Sequence, residues 1–314
     1  MAEERTDQTQ AKAKKRAGKT NVANVVRHVV QVCALLLFCA PMLLSGWQLL
    51  GLSAGSGNPV STPAELPFFG TLSSSSIGPV VPIDPFAVLQ VICASKTVEL
   101  SWIIGLLIVV VVYGIIRGRA FCGWVCPVNL FCEIIDWIRR KAGIKVQEMP
   151  VPRRVKVWVA LAVLVLSLIC SVPVFEVVSP ISFINKGLVV GSFAGLFTLI
   201  AIVLAELFYG HRVWCRSICP LGGFYQVLGK VGLVNVRIDH EKCIGCNKCK
   251  AVCNCDPDIL SACIEGTDTM VRSGDCMLCT KCTGVCPTAA LAIKIGRTPA
   301  PKKPEEVDSK VETE

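Results

Sequence analysis

Four long apolar stretches divide the chain: Val29–Leu52, Val98–Ile116, Val155–Phe175 and Leu188–Tyr209. The second stretch, with 19 residues, would reach about 28 Å as a helix, against ~30 Å for a bilayer's hydrocarbon core. The third and fourth are nearly free of charge, apart from Lys156 at one edge and Glu206 near the far end. This pattern predicts an α-helical membrane protein with four transmembrane helices, the first kinked at Pro41. Between the first two stretches, Gly51–Thr97 is rich in Gly, Ser and Pro. Within it, Asp84-Pro85 opens a short apolar run, Phe86–Ala94, which predicts an interfacial or re-entrant helix. Two further segments, Val128–Lys141 and Leu221–Val234, read as helices lying along the membrane surface. In the first of them apolar residues recur at 128, 130, 131, 134, 135 and 138, close to helical spacing.

Composition agrees with a membrane protein. Only 18% of residues are charged and 53% are hydrophobic, whereas a soluble domain carries about 25% charged residues. The net charge of +9 suggests nucleic acid until the basic residues are located. Seven lie in residues 1–30 and eight in Arg117–Arg154, while the other two connections hold only Lys96 and Lys186. The positive-inside rule therefore places both termini and the Arg117–Arg154 loop in the cytoplasm of a multi-pass membrane protein. No cleavage site ends the first apolar run, which argues against a secretory signal. The chain divides into a basic cytoplasmic tail (1–28), a membrane domain (29–237), a cysteine-rich domain (238–297) and a Pro/Lys/Glu-rich disordered tail (298–314).

Ten of the nineteen cysteines lie beyond Arg237. Cys243-x2-Cys246-x2-Cys249-x3-Cys253 is followed by Cys276-x2-Cys279-x2-Cys282-x3-Cys286-Pro287. This is the spacing of a two-cluster bacterial ferredoxin, in which the fourth cysteine of each run ligates the other cube. Cys243, Cys246, Cys249 and Cys286 are thus assigned to one [4Fe–4S] cluster, and Cys276, Cys279, Cys282 and Cys253 to the other. Zinc knuckles use pairs of cysteines, and a cytoplasmic location disfavours stable disulfides. The expected domain is a small ferredoxin-like α+β unit. One departure is that Asn254-Cys255 stands where proline usually follows the fourth cysteine, making Cys255 a competing ligand. Otherwise Cys255 and Cys263 read as small apolar fillers, as do Cys33, Cys39, Cys93, Cys132 and Cys170.

A second constellation follows the second and fourth apolar stretches. Arg119-Ala120-Phe121-Cys122-Gly123-Trp124-Val125-Cys126-Pro127 and Arg212-Val213-Trp214-Cys215-Arg216-Ser217-Ile218-Cys219-Pro220 are both Cys-x3-Cys-Pro with an aromatic residue before the first cysteine. Each proline suits the first position of a new helix and holds the cysteine before it out of helix, so each motif is a turn. Two parallel hairpin repeats would bring Cys122, Cys126, Cys215 and Cys219 to one depth. A further iron–sulfur cluster, a redox-active thiol set and a structural role all stay open. Of three histidines, His28, His211 and His240, the first two sit near the membrane face and read as solvated, with handling of a substrate proton as the other reading. Glu99, Glu176 and Glu206 lie near the ends of apolar stretches, and Glu206 sits well inside one.

Together the four apolar stretches, the paired Cys-x3-Cys-Pro turns and the double ferredoxin motif resemble the NapH family. Its members are ferredoxin-type membrane subunits of the quinol dehydrogenase that serves periplasmic nitrate reductase. The likeness extends to Ser73–Ser76 and to Asp84-Pro85 through Leu89-Gln90. It implies two [4Fe–4S] clusters, quinol as substrate and a NapG-like periplasmic iron–sulfur protein as partner. The membrane part also resembles MauN-type and NosR-type polyferredoxins and the assembly factors of copper oxidases. A role in assembling or supplying metal to a copper- or iron-containing respiratory enzyme is therefore the alternative. There is no haem-attachment C-x-x-C-H, no Rossmann glycine run and no P-loop.

Overall fold

The computed structural model describes residues 22–49, 68–70, 75–77, 83–144, 152, 154–184 and 194–296. The expected tails at 1–21 and 298–314 lie outside the described residues, as does most of the connection after the first apolar stretch. Two hydrophobic cores form and meet at Tyr113. One is built by helices α2 (Pro85–Ser95), α3 (Leu100–Ile116), α4 (Ala120–Trp124), α5 (Pro127–Lys141) and α6 (Val155–Cys170), with α7 (Val174–Val178), α8 (Pro180–Ser182), α9 (Ala194–Leu204) and α10 (Pro220–Leu228), while α1 (Val22–Leu49) packs on α4 and α5. Helix α6 packs on α2 and α10. An aromatic chain runs through this core. Phe86 of α2 meets Phe175 and Phe224, and Tyr225 stacks on Phe121 at a ring separation of 5.5 Å.

Among the described residues no helix is long and apolar enough to cross a membrane, which overturns the expected four transmembrane helices. The local causes are visible. The second and third stretches fold as α3 and α6, of 17 and 16 residues, about 24–26 Å at ~1.5 Å per residue. Helix α6 stops where Ser171 turns left-handed, ahead of Pro173 and the separate helix α7. The fourth stretch gives the 11-residue α9 and then a π-helical turn, Ala205–Tyr209. The carboxylate of Glu206 in that turn accepts from the Arg212 amide at 2.7 Å. In α1 the first turns carry Asn24, Arg27, His28 and Gln31, and Arg27 and Gln31 are fully buried against protein. Helix α1 begins at Val22, within the segment expected as the basic tail, and Arg27 donates to Glu133.

The short apolar run after Asp84-Pro85 is a helix as expected, but one that packs inward. Asp84 caps α2 by accepting from the Phe86 amide, with Pro85 at the first helical position, and Phe86, Ala87 and Val88 are buried. Strands β1 (Phe68–Gly70) and β2 (Ser75–Ile77) pair antiparallel.

The second core belongs to the cysteine-rich part. Strands β3 (Val234–Ile238) and β4 (Leu291–Ile295) pair antiparallel, Val234 opposite Ile295 and Ile238 opposite Leu291. Between them lie α11 (Lys248–Ala251), a 3-10 turn at Pro257–Leu260, α12 (Ser261–Ile264) and α13 (Lys281–Val285). The unit is fastened to the helices at its entrance. The Leu233 amide donates to the Ile115 carbonyl, and buried Arg117 donates to Asn235 and to the carbonyls of Val234, Val271 and Ser273.

Candidate iron–sulfur centres

The two ferredoxin runs share one backbone. Gly245 and Asn247 in the first, Leu278 and Thr280 in the second, all take positive φ, at 66°, 54°, 50° and 62°. Each run then enters a short helix, α11 or α13. Alternating left- and right-handed residues turn successive amides toward one concavity, the form that holds anionic groups including iron–sulfur centres. Leu278 has no glycine's freedom, so its left-handed backbone is held there by the surrounding contacts.

The structure brings Cys243, Cys246, Cys249 and Cys286 to the wall of one pocket, lined also by Ile238, Ile264 and Leu291. Cys286 arrives from the far run, and the Ala290 amide donates to its sulfur at 3.3 Å. That bond and the one to Thr288 hold the Cys286 thiol below its ordinary range although burial opposes them. Four cysteines lining one pocket are the donor set that a [4Fe–4S] cube takes. Cys276, Cys279, Cys282 and Cys253 gather in the adjoining core. Burial pushes the Cys282 thiol well up, and the neighbouring Cys279 and Cys276 add to this, so bound iron would relieve a costly set of thiols. Among the described residues no three His, Cys, Asp or Glu side chains lie close enough to share one metal ion.

Of the two outsiders, Cys263 is buried in the same core. Cys255 is buried beside Cys253, with which it shares a hydrogen bond. Arg216 bonds to its carbonyl, and Asn254 before it is held by Glu133 and Lys281. Cys253 instead points its sulfur at the Asp256 carbonyl, 3.3 Å away.

The paired turns converge as well. Cys122, Cys126, Cys215 and Cys219 line a single pocket together with Arg119, Trp214 and Met277. Cys126 and Cys219 have nearly the same extended backbone, φ −62° and ψ 121° against φ −60° and ψ 113°, each with proline next as the first residue of a helix. The Gly222 amide donates to Cys219 Sγ at 3.4 Å. Burial pushes the Cys219 thiol up to about 12, helped by Cys122 and Cys215. Cys132, buried on α5, hydrogen-bonds with Cys215 and so lies at the edge of this site. Cys33 and Cys170 are exposed and Cys93 is half-buried.

Buried charges that sequence reading treated as topology marks brace these centres. Arg119 donates to the Cys215 carbonyl of the opposite turn at 2.8 Å and to Asp275 at 2.8 Å. Asp275, next to Cys276, also receives Lys156 of α6 and Gln226 of α10. Arg212 reaches the other way, to Asn129 at 2.6 Å and Asp136 at 3.0 Å. A signal for both was present, since each arginine stands three residues before its turn's first cysteine. His211 is not solvated: it bonds to Asp136 at 3.0 Å. Burial would raise Asp136, yet His211 and Arg212 draw it down to about 2. His28 meets Glu133 at 2.6 Å while staying partly open, and His240 is exposed. Glu133 accepts from Arg27 of α1 and Asn254 of the first run. Glu176 accepts from the Ser182 hydroxyl, and Glu99 is exposed at the start of α3.

A cysteine-lined cavity, a doubled ferredoxin backbone and converging cysteine turns define an iron–sulfur protein. Residues 98–145 and 192–238 match the family described as a 4Fe-4S binding domain, and these segments hold the two Cys-x3-Cys-Pro turns. The chain is 31% identical to the methylamine utilization ferredoxin-type protein MauN of Methylorubrum extorquens, over 88% of this chain and 90% of that one. It is 33% identical to the ferredoxin-type protein NapH of Escherichia coli, over 69% and 76%. A second MauN, from Methylobacillus flagellatus, is 33% identical over 72% and 80%. The chain therefore belongs to the NapH and MauN family of ferredoxin-type proteins. No solved structure matches it.

Proposed function

We propose that the chain is an electron carrier of a bacterial inner membrane, which oxidises a quinol and passes the electrons singly to an iron–sulfur partner. The convergence of Cys243, Cys246, Cys249 and Cys286 on one cavity, with a matched run beside it, carries this reading. A [4Fe–4S] cube at such a site takes up and returns one electron at a time. Quinol becoming quinone gives up two electrons and two protons, so neighbouring one-electron sites suit it. The outer face of α3 leaves Leu100, Ile104, Leu107 and Ile115 uncovered, and α6 leaves Trp158, Leu161 and Ile169. Apolar surface on this scale supports contact with lipid, where quinol dissolves.

The NapH likeness supports a NapG-like periplasmic acceptor and nitrate reduction as the end use. The longer match, to a methylamine utilization ferredoxin-type protein, names no nitrate end use, and service to the assembly of a metal-containing respiratory enzyme is the second reading.

The test is anaerobic reconstitution of the full chain with its partner in liposomes. Added quinol should bleach the cluster absorbance and reduce the partner. Clusters that dithionite bleaches and quinol does not would overturn quinol oxidation. Quinol-driven bleaching without transfer to an iron–sulfur acceptor would favour the assembly reading.

A further inference from the structure

We infer that the side-chain amide of Asn129 donates a hydrogen bond to the cluster held by Cys122, Cys126, Cys215 and Cys219, and that it sets the reduction potential of that cluster from one side while Arg119 acts on the other. This role deepens the proposed function and rests on the chain being an iron–sulfur electron carrier, with a cluster at the turns as the family match describes.

Asn129 stands three residues after Cys126 and lines the pocket with the four cysteines. Its side chain is almost wholly buried. Arg212 donates to its Oδ1 at 2.6 Å. A guanidinium can only donate, so this contact fixes which end of the amide faces Arg212, namely the oxygen. The Nδ2 group is left for other neighbours, and it is buried without an acceptor among the described residues. A buried donor with no acceptor is costly. The sulfurs of a cluster accept hydrogen bonds, and a cluster in the pocket that Asn129 lines supplies what Nδ2 lacks.

The repeat shows that this donor is an addition to the turn. Asn129 and Gly222 occupy the same place, each three residues after the second cysteine of its motif. Their backbone amides act alike, that of Asn129 bonding to Cys126 and that of Gly222 to Cys219. Only Asn129 brings a side chain. The arginines that stand three residues before each first cysteine differ to match. Arg119 lines the pocket itself, and its guanidinium would lie 3.7 Å from a Cβ placed on Gly222. Arg212 does not line it and is held by Asn129 and Asp136. One half of the site thus receives a full positive charge and the other a neutral N–H. An added electron makes a cluster more negative, and donors aimed at it favour that form, so each raises the potential.

The test is potentiometric titration of the anaerobically isolated full-length chain, followed by electron paramagnetic resonance. The signal that Cys122→Ser removes belongs to the turns. Asn129→Asp keeps the shape and an oxygen for Arg212, but replaces the N–H donor with an acceptor. It should leave the iron content unchanged and lower the midpoint of that signal by about 59 mV or more, a tenfold change in the one-electron equilibrium. The ferredoxin midpoints should stay where they are. Asn129→Ala should shift the same signal in the same direction, and unchanged midpoints in both variants would overturn the inference. Wild-type chain carrying asparagine labelled with heavy nitrogen in its side chain gives a readout that needs no variant. The reduced turn cluster should show a nitrogen coupling in pulsed resonance, and its absence would equally overturn the role of Asn129. If Cys122→Ser removed no signal, the cluster at the turns would fail and Asn129 with it, while quinol-driven bleaching of the ferredoxin cubes would still support the proposed function.

Discussion

Cys253 and Cys255 sit within a hydrogen bond of each other at the edge of the second cube's core, and only spacing singles out Cys253 as the ligand. We expect Cys253→Ser to keep its iron, with Cys255 taking the vacant coordination and the cluster's midpoint potential shifting. The Cys253→Ser/Cys255→Ser double variant should lose four irons. Iron analysis with potentiometric titration decides it, and loss from the Cys253 single variant would show that Cys255 cannot reach. Gly123 is the other sharp case. Alanine there would drive a Cβ into the Met277 carbonyl, a backbone atom unable to swing aside. Overpacking of this kind costs about 1–3 kcal/mol. Gly123→Ala should therefore lower the thermal midpoint and perturb the second cube's spectrum, although no cysteine is touched.

The cysteine-rich part docks on the helices through Asp275, which holds Arg119 of one turn and Lys156 of α6. All three side chains are almost wholly buried. Asp275→Asn keeps the shape but leaves two buried cations without their counter-charge, a loss of about 3–5 kcal/mol. Limited proteolysis should then release the 234–296 unit faster than in wild type, and an unchanged cleavage rate would show the pair to be dispensable. Nothing local in the sequence announces this contact. Arg119 and Asp275 stand 156 residues apart, and a run of basic residues beside an apolar stretch reads as solvated surface. The features that were legible are those fixed by neighbours in sequence. Proline at 127 and 220 set Cys126 and Cys219 extended, the spacing from Val128 to Ile138 gave α5, and the ferredoxin spacing gave the cavity of Cys243 and Cys286. Helix length was not legible, because hydropathy measures apolarity and cannot see the left-handed cap at Ser171 or the π-turn around Glu206.

Across the described residues, the uncovered aliphatic side chains are most numerous on α1, α3 and α6, and Phe197 of α9 is 71% exposed. Burying such apolar surface away from water is favourable. The chain should therefore partition with vesicles in flotation, and full recovery in the unfloated fraction would show that a protein covers those faces instead. The charged cysteine-rich unit and the aliphatic faces are held as one body by Arg117, Arg119 and Glu133, so whatever seats one fixes the position of the other.

Cys286 comes to Cys243 from the far end of the unit, immediately before β4. A cluster bridging them closes a loop of roughly 43 residues, a cross-link that by chain entropy alone is worth about 4 kcal/mol. Oxidative loss of that one cube would then do more than remove a carrier. It would cut the loop, free β4 from β3 and turn a damaged chain into a substrate for the cell's proteases, so that cofactor integrity sets the lifetime of the polypeptide.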